Sequence, residues 1–266
     1  MRRADEQAIM QRLSLLRMQI TRQQLMVQEE KVALVTGAGR GIGRAIALSL
    51  ARAGYALCLA ARSFEELVET RTLSGLTANR ALIVLVDLAD SDAPANLFDA
   101  ALAHFGRVDI LVNNAGWAPA RTPLVKTRPD DRDRMIAVNL RAPITLAQHA
   151  ATHMLPRGNG VIVSVASQAA RTHPAGEAIY AAAKAGLVAF THAAFAELRT
   201  HGVKTSVIIP GLTDTVLIPP NKRLDRSAML RPDDVARAIM SVVDSPSEAC
   251  PIEIVLAPAR DPMSSR

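Results

Sequence analysis

Aromatic side chains are scarce in this chain: 3% of 266 residues, with one tryptophan, two tyrosines and five phenylalanines. Since 49% of the residues are nevertheless apolar, the core must be aliphatic, built from Ala, Val, Leu and Ile. That suits helices laid over a parallel sheet whose strands are covered on both faces. The scarcity also removes the stacking positions that single-strand nucleic-acid binders use. The formal net charge of +6 does not restore that reading, because five arginines fall in the first 22 residues and the others are scattered among acids. A nucleic-acid partner is not expected, while an anionic cofactor suits a mildly basic chain.

Cysteine is nearly absent as well. Cys58 and Cys250 sit in apolar surroundings with no C-x-x-C spacing and no histidine cluster beside them. This excludes a disulfide framework and leaves no candidate metal site, and the expectation is two reduced thiols in a cytoplasmic protein. Apolar runs stay short of the roughly 18 residues that span a bilayer, and no secretory signal pattern is visible. No membrane role is expected.

What the chain does have is alternation. From residue 31, short apolar runs (KVALVT, YALCLAA, ALIVLV, VDILVN, VIVSV, VKTSVII, PIEIVLA) are separated by helical stretches, among them one from about Ile42 and others at Pro94 to Phe105, Arg134 to Leu155, Ala178 to Leu198 and Asp233 to Val243. Seven strands interleaved with about six helices predict one α/β domain over residues 31–266, a doubly wound sheet that is mostly or wholly parallel. Residues 1–30 stand outside this scheme. Ile9, Leu13, Leu16 and Ile20 follow helical spacing, which suits an oligomerisation arm; the arginine-rich, acid-poor composition also fits an organelle-targeting segment; a disordered, dispensable extension with Met26 as the natural start is the third reading.

Two local patterns carry chemistry. VTGAGRGIGRAIA follows the first strand, with Gly37, Gly41 and Gly43 opening a helix. Glycines there allow a tight turn and close approach of backbone to a pyrophosphate, and the helix aims its N-terminal N–H groups at the anion. In EAIYAAAKAGL, the scarce Tyr180 and the scarce Lys184 stand four residues apart, on one face of a helix. A tyrosine packed in a core with a lysine snorkelling to water would have the same spacing.

The spacing T-G-x-x-x-G-I-G at 36–43 resembles that of the short-chain dehydrogenases/reductases. Further agreement comes from Asp87 after the third strand, NNAG at 113–116 after the fourth, Asn139 in IAVNL, Ser167 thirteen positions before Tyr180, and PGLTDT at 210–215. The resemblance covers about residues 31 to 258. It implies a Rossmann-type fold, a nicotinamide cofactor, a small carbonyl or alcohol substrate, and a homodimer or homotetramer paired through the helices near Arg134 to Leu155 and Ala178 to Leu198. The central motifs are similar to those of 3-oxoacyl carrier-protein reductases. Catalytic roles are implied for Asn139, Ser167, Tyr180 and Lys184. Cofactor contacts are implied at Gly37, Arg40, Gly41, Ile42 and Gly43 in the loop, at Asp87 and Leu88 by the adenine, and at Asn114, Ala115 and Gly116. Tyr180, Lys184, Pro210, Gly211 and Thr215 complete that set. The family lysine holds the nicotinamide ribose, and the family asparagine keeps a helix kinked beside a proton relay.

The chemistry also stands on the residues. Reducing a ketone needs a hydride and a proton for the developing alkoxide, and the Lys184 ammonium, with the positive nicotinamide of the oxidised cofactor, is expected to lower the pKa of the Tyr180 phenol. Ser167 would position the substrate oxygen, with Ser164 structural. Gln168, Arg171 and His173 are candidates for the pocket wall, and Leu212 to Arg231 for a short lid. An NAD enzyme places an acid at the end of the second strand. Here that place holds Ala61, followed by Arg62, with Arg40 nearby and no acid before Glu65, so NADP(H) is expected. Two other readings stay open: a sugar, polyol or hydroxysteroid dehydrogenase working oxidatively, and a non-catalytic dinucleotide sensor or scaffold.

Overall fold

Every strand of the sheet, among the described residues, runs in the same direction. The computed structural model describes residues 30–263 apart from 217 and 219–222. The 1–30 extension, Glu30 aside, and the Pro219-Pro220 pair lie outside the described residues. The strands are β1 (Val32–Thr36), β2 (Ala56–Ala61), β3 (Ala81–Leu85), β4 (Ile110–Asn113), β5 (Gly160–Val165), β6 (Val203–Pro210) and β7 (Glu253–Leu256). They form a parallel sheet in the order β3-β2-β1-β4-β5-β6-β7. Parallel neighbours need crossovers, which here are the helices α1 (Gly41–Arg52), α2 (Phe64–Ser74), α3 (Ala93–Phe105), α4 (Pro129–Ile136), α5 (Ala142–Met154), α6 (Ala178–Leu198) and α7 (Pro232–Val243).

Because side chains alternate along a strand, each strand feeds two cores. Ala33 and Val35 of β1 join Ile46, Leu50 and Leu67 on the face covered by α1, α2 and α7. Leu34, between them, points into the opposite core with Phe98, Leu146 and Met154 under α3 and α5. Both faces of β1 are therefore dry, and all its residues are buried. Glycine ends the crossovers sharply: Gly75 and Gly106 take φ of 69° and 72° after α2 and α3, a left-handed backbone that other residues resist.

The strand order reverses direction between β1 and β4. Loops leaving these strands at their carboxyl ends diverge there, which opens a crevice. The helix expected over Arg134 to Leu155 is in fact two helices joined by a π turn, Ala137–Arg141, with Asn139 at its centre. At that turn Asn139 Nδ2 donates to the Met135 carbonyl at 2.9 Å. Helix α6 is long and apolar enough, by length and composition, to cross a membrane; in this fold it packs beside β6 and the π turn.

Candidate active site

The glycine loop is tight enough to admit backbone only. Gly37 and Gly41 have φ of +66° and +53°, and a β-carbon at Gly43 would lie 2.0 Å from the Gly37 carbonyl oxygen. A β-carbon at Gly37 would lie 2.8 Å from Asn114 Nδ2. Arg40 occupies the cap position of α1 without a side-chain cap, so the first-turn N–H groups, with Ile42 among the first helical residues, face the crevice at the positive end of the helix dipole. Thr215 reaches over from the segment after β6, its methyl 3.2 Å from where a Gly41 β-carbon would be. A pyrophosphate fits this cradle.

The loop is braced from β4. Thr36 Oγ1 accepts the N–H groups of Asn114 and Ala115, each at 3.0 Å, and Asn114 Nδ2 donates to the Thr36 carbonyl at 2.9 Å. The amide of Asn114, expected as a direct cofactor contact, is thus turned to the loop backbone and holds its shape.

At the end of β2, Ala61 is followed by an exposed Arg62 that is in no ion pair among the described residues. Arg40 is different. Its Nη1 meets Glu66 Oε1 at 3.1 Å, and Glu66 also overhangs the loop, with Oε2 3.0 Å from where a β-carbon on Gly39 would sit. The strand end itself holds no acid, but the first turn of α2 brings to Arg40 a carboxylate that lies beyond the strand end in sequence.

Asp87, after β3, accepts from the Ala89 N–H at 3.0 Å and from Arg134 Nη2 at 2.6 Å. Partial burial raises its pKa, but the Ala89 and Arg134 hydrogen bonds and the Arg134 and Arg62 charges outweigh this and leave it below the usual value. Leu88 behind it is buried in the core under α3. The guanidinium of Arg134 lies 5.4 Å over the Trp117 ring, so the adenine end is tied to the loop after NNAG.

The reacting end gathers four side chains from three elements. Asn139, fully buried, grips Trp117: Nδ2 donates to its carbonyl at 2.6 Å and Oδ1 accepts its N–H at 3.2 Å. Lys184 is 3% exposed and donates to the Val165 carbonyl at the end of β5 at 2.9 Å. Bare Gly116 lets the two approach, since a β-carbon there would be 3.2 Å from Asn139 Oδ1 and 3.7 Å from Lys184 Nζ. Tyr180, one turn before Lys184, has the ammonium 5.8 Å from its ring centroid and is hydrogen-bonded to Ser167. Ser167 Oγ also accepts from the Ala169 N–H at 3.2 Å.

The charge of Lys184 by itself does not bring the Tyr180 phenol below its ordinary value. Burial pushes Tyr180 up to about 12, while the Ser167 hydrogen bond works downward and Glu177 upward. Burial likewise pulls Lys184 down to about 8, and its ammonium is turned toward the Val165 carbonyl.

Of the expected wall residues, Gln168 lies at the site, its N–H on the Pro210 carbonyl at 2.9 Å and its Oε1 3.0 Å from where a Gly211 β-carbon would be. Arg171 instead pairs with Glu253 of β7, and His173 is exposed in a left-handed conformation. Ser164 is buried in β5, its hydroxyl unpartnered among the described residues. The lid candidate is pinned by Arg226, which holds Asp214 at 2.7 Å and the Thr215 carbonyl at 2.9 Å. A cavity beside Tyr180 is lined by Pro119, Leu124, Met135 and Ile179 together with Thr122, Thr127 and Glu177. Thr36, Glu66, Trp117 and Arg134 escaped the sequence reading of the site. Thr36 alone had a signal, its place directly before Gly37.

A family model described as short chain dehydrogenase matches residues 31–223. Over 221 residues the chain is 35% identical to cis-4-hydroxycyclohexanecarboxylate dehydrogenase of Sinomonas cyclohexanicum, covering 79% of this chain and 88% of the relative. It is 32% identical to an uncharacterized oxidoreductase of Staphylococcus aureus strain USA300, covering 87% and 99%. A crystal structure of a metagenomic short-chain oxidoreductase in complex with NADP superposes with a TM-score of 0.76 at 34% identity, covering 86% of this chain and 98% of that one. With the glycine cradle at the sheet's switch point and the match over most of its length, the chain belongs to the short-chain dehydrogenase family of oxidoreductases.

Proposed function

We propose that this protein is an NADP(H)-dependent carbonyl reductase or alcohol dehydrogenase in which Tyr180 exchanges a proton with the substrate oxygen. The observation that carries it is the convergence of Ser167, Tyr180, Lys184 and Asn139 beside a loop that only a backbone-hugging anion fits. A bound nicotinamide supplies or takes the hydride. Tyr180, kept protonated by burial, donates to the oxygen that becomes negative during reduction, and Ser167 fixes that oxygen's direction. Lys184, whose pKa of about 8 lies near neutrality, holds the nicotinamide ribose hydroxyls and exchanges protons beside Asn139. NADP(H) rather than NAD(H) is supported by Ala61 and Arg62 at the end of β2 and by the NADP-bound relative.

The cavity beside Tyr180 combines apolar side chains with Thr122, Thr127 and Glu177, and the Sinomonas relative is named for a hydroxycyclohexanecarboxylate substrate. An oxidative role on a sugar, polyol or hydroxysteroid uses the same groups in reverse. A non-catalytic dinucleotide sensor would need the glycine loop but not the four-residue cluster. The test is turnover of NADPH across ketones, β-ketoacyl thioesters and sugars, with the oxidised partners run in reverse. Consumption on a ketone or thioester supports reduction; silence on all of them with intact dinucleotide binding favours the sensor. We further propose a cytoplasmic homodimer or homotetramer, because α6 carries an apolar sequence of which only 28% is buried within one chain. A monomer by light scattering at micromolar concentration would contradict it.

A further inference from the structure

The Arg40–Glu66 pair lies where the cofactor's adenosine ribose would enter, and its acid has no role in the mechanism. Three observations define it. Glu66 Oε1 accepts from Arg40 Nη1 at 3.1 Å. The other oxygen, Oε2, and Cβ lie 3.0 and 2.9 Å from where a β-carbon on Gly39 would be, and that same point is 3.7 Å from Ala61 Cβ. Finally, Glu66 is held in place: its N–H is bonded to Ser63 Oγ, the cap of α2, at 3.3 Å, and the Thr70 hydroxyl one turn on lies within hydrogen-bond distance of the carbonyls of Ala38, Gly39 and Glu66, to any one of which it can donate. The start of α2 is thereby clamped to the glycine loop. A carboxylate stands over Gly39 and beside the last residue of β2, the place from which a ribose 2′ position is read.

We infer that Glu66 is a specificity-determining residue for the dinucleotide, acting against the phosphorylated form. This rests on the reading of the site as a nicotinamide-dinucleotide site. A 2′-hydroxyl can donate to the Glu66 carboxylate, giving NAD(H) a partner. A 2′-phosphate meets that carboxylate as a like charge and has to draw the Arg40 guanidinium away from it, leaving Arg62, whose charge also acts on Asp87, as the second cation for the phosphate. The protein is therefore a tempered NADP(H) binder that also accepts NAD(H), and the acid responsible comes from a helix and not from the strand end.

The test is direct binding, by quenching of protein fluorescence or by calorimetry, of NADPH and NADH to the wild type, Glu66→Gln and Glu65→Gln. The Glu65 change removes the same charge from the same turn, where the carboxylate is engaged by Ser63 Oγ at 3.1 Å and not by Arg40. Glu66→Gln should tighten NADPH and weaken NADH, raising the ratio of their dissociation constants by about fivefold or more at low salt, while Glu65→Gln moves it less than about twofold. An unchanged ratio in Glu66→Gln, or an equal change in Glu65→Gln, overturns the assignment of Glu66 and leaves the site reading intact. Failure of the wild type to bind either dinucleotide overturns both.

Discussion

The two ends of the sheet bury charge in opposite ways. At the amino ends of β1 and β5, Asp109 is 7% exposed and saturated: it accepts the Val32 N–H at 2.8 Å, Arg107 through two nitrogens at 2.9 and 2.8 Å, and Arg157. At the carboxyl ends, Lys184 is more deeply buried yet directs a single hydrogen bond to the protein, at Val165. A carboxylate with all its lone pairs engaged can only hold strands together. An ammonium with spare donors, beside a phenol that burial keeps protonated, is paid for in stability and kept for another molecule. Partner count distinguishes structure from chemistry here better than burial does.

The sharpest way to break this comparison is to disable the chemical end alone. Tyr180→Phe should lower turnover by at least roughly a hundredfold, about 2.7 kcal/mol, with dinucleotide affinity close to wild type; steady-state rates alongside a binding titration check it, and near-normal rates would remove Tyr180 from the mechanism. Next is the structural end. Asp109→Asn should cost about 2 kcal/mol of stability in a denaturant titration while the folded fraction keeps its kcat.

The two ends also respond oppositely to losing their charge. Lys184→Met should raise unfolding stability by about 2 kcal/mol at pH 7 while abolishing turnover. The sign follows from a folded pKa of about 8 against the ordinary lysine value of 10.5: below about pH 8 both states bind the proton and the cost of burying it is constant. Between those values the unfolded chain holds more protons, so the wild type gains stability as pH rises. The advantage of the methionine variant should therefore shrink from pH 8 towards 10.5, and a pH-independent difference would refute it. Smallest is the cofactor choice: NADPH over NADH by at least roughly tenfold in kcat/KM, about 1.4 kcal/mol, eroded or reversed by Ala61→Asp with Arg62→Ala. Equal efficiency in the unmodified protein would sink that preference alone.

Local signals were legible in the sequence. Continuous apolar strands, the glycine triplet and the Tyr180–Lys184 spacing each depend on neighbours within a few residues, so their period or composition is written in one stretch. What escaped were contacts closed by the fold. Glu66 reaches Arg40 across 26 residues and Arg134 reaches Asp87 across 47, and no spacing rule joins a helix side chain to a loop in another crossover. The interruption at Asn139 was implied by the family resemblance alone, because the residues on either side of it read as one continuous helix. The burial that raises Tyr180 is likewise created by the fold and has no signature in any one stretch of sequence.

The hydroxyl of Thr36 has a consequence in time. One oxygen takes the amides of Asn114 and Ala115 and gives its proton towards the Val112 carbonyl at 3.3 Å, so the loop that cradles phosphate and the loop that carries Gly116 cannot loosen separately. Their fluctuations merge into one opening event, and the Asn114 and Ala115 amide protons exchange with solvent as a pair, at the pace of the sheet's centre and not of its surface loops.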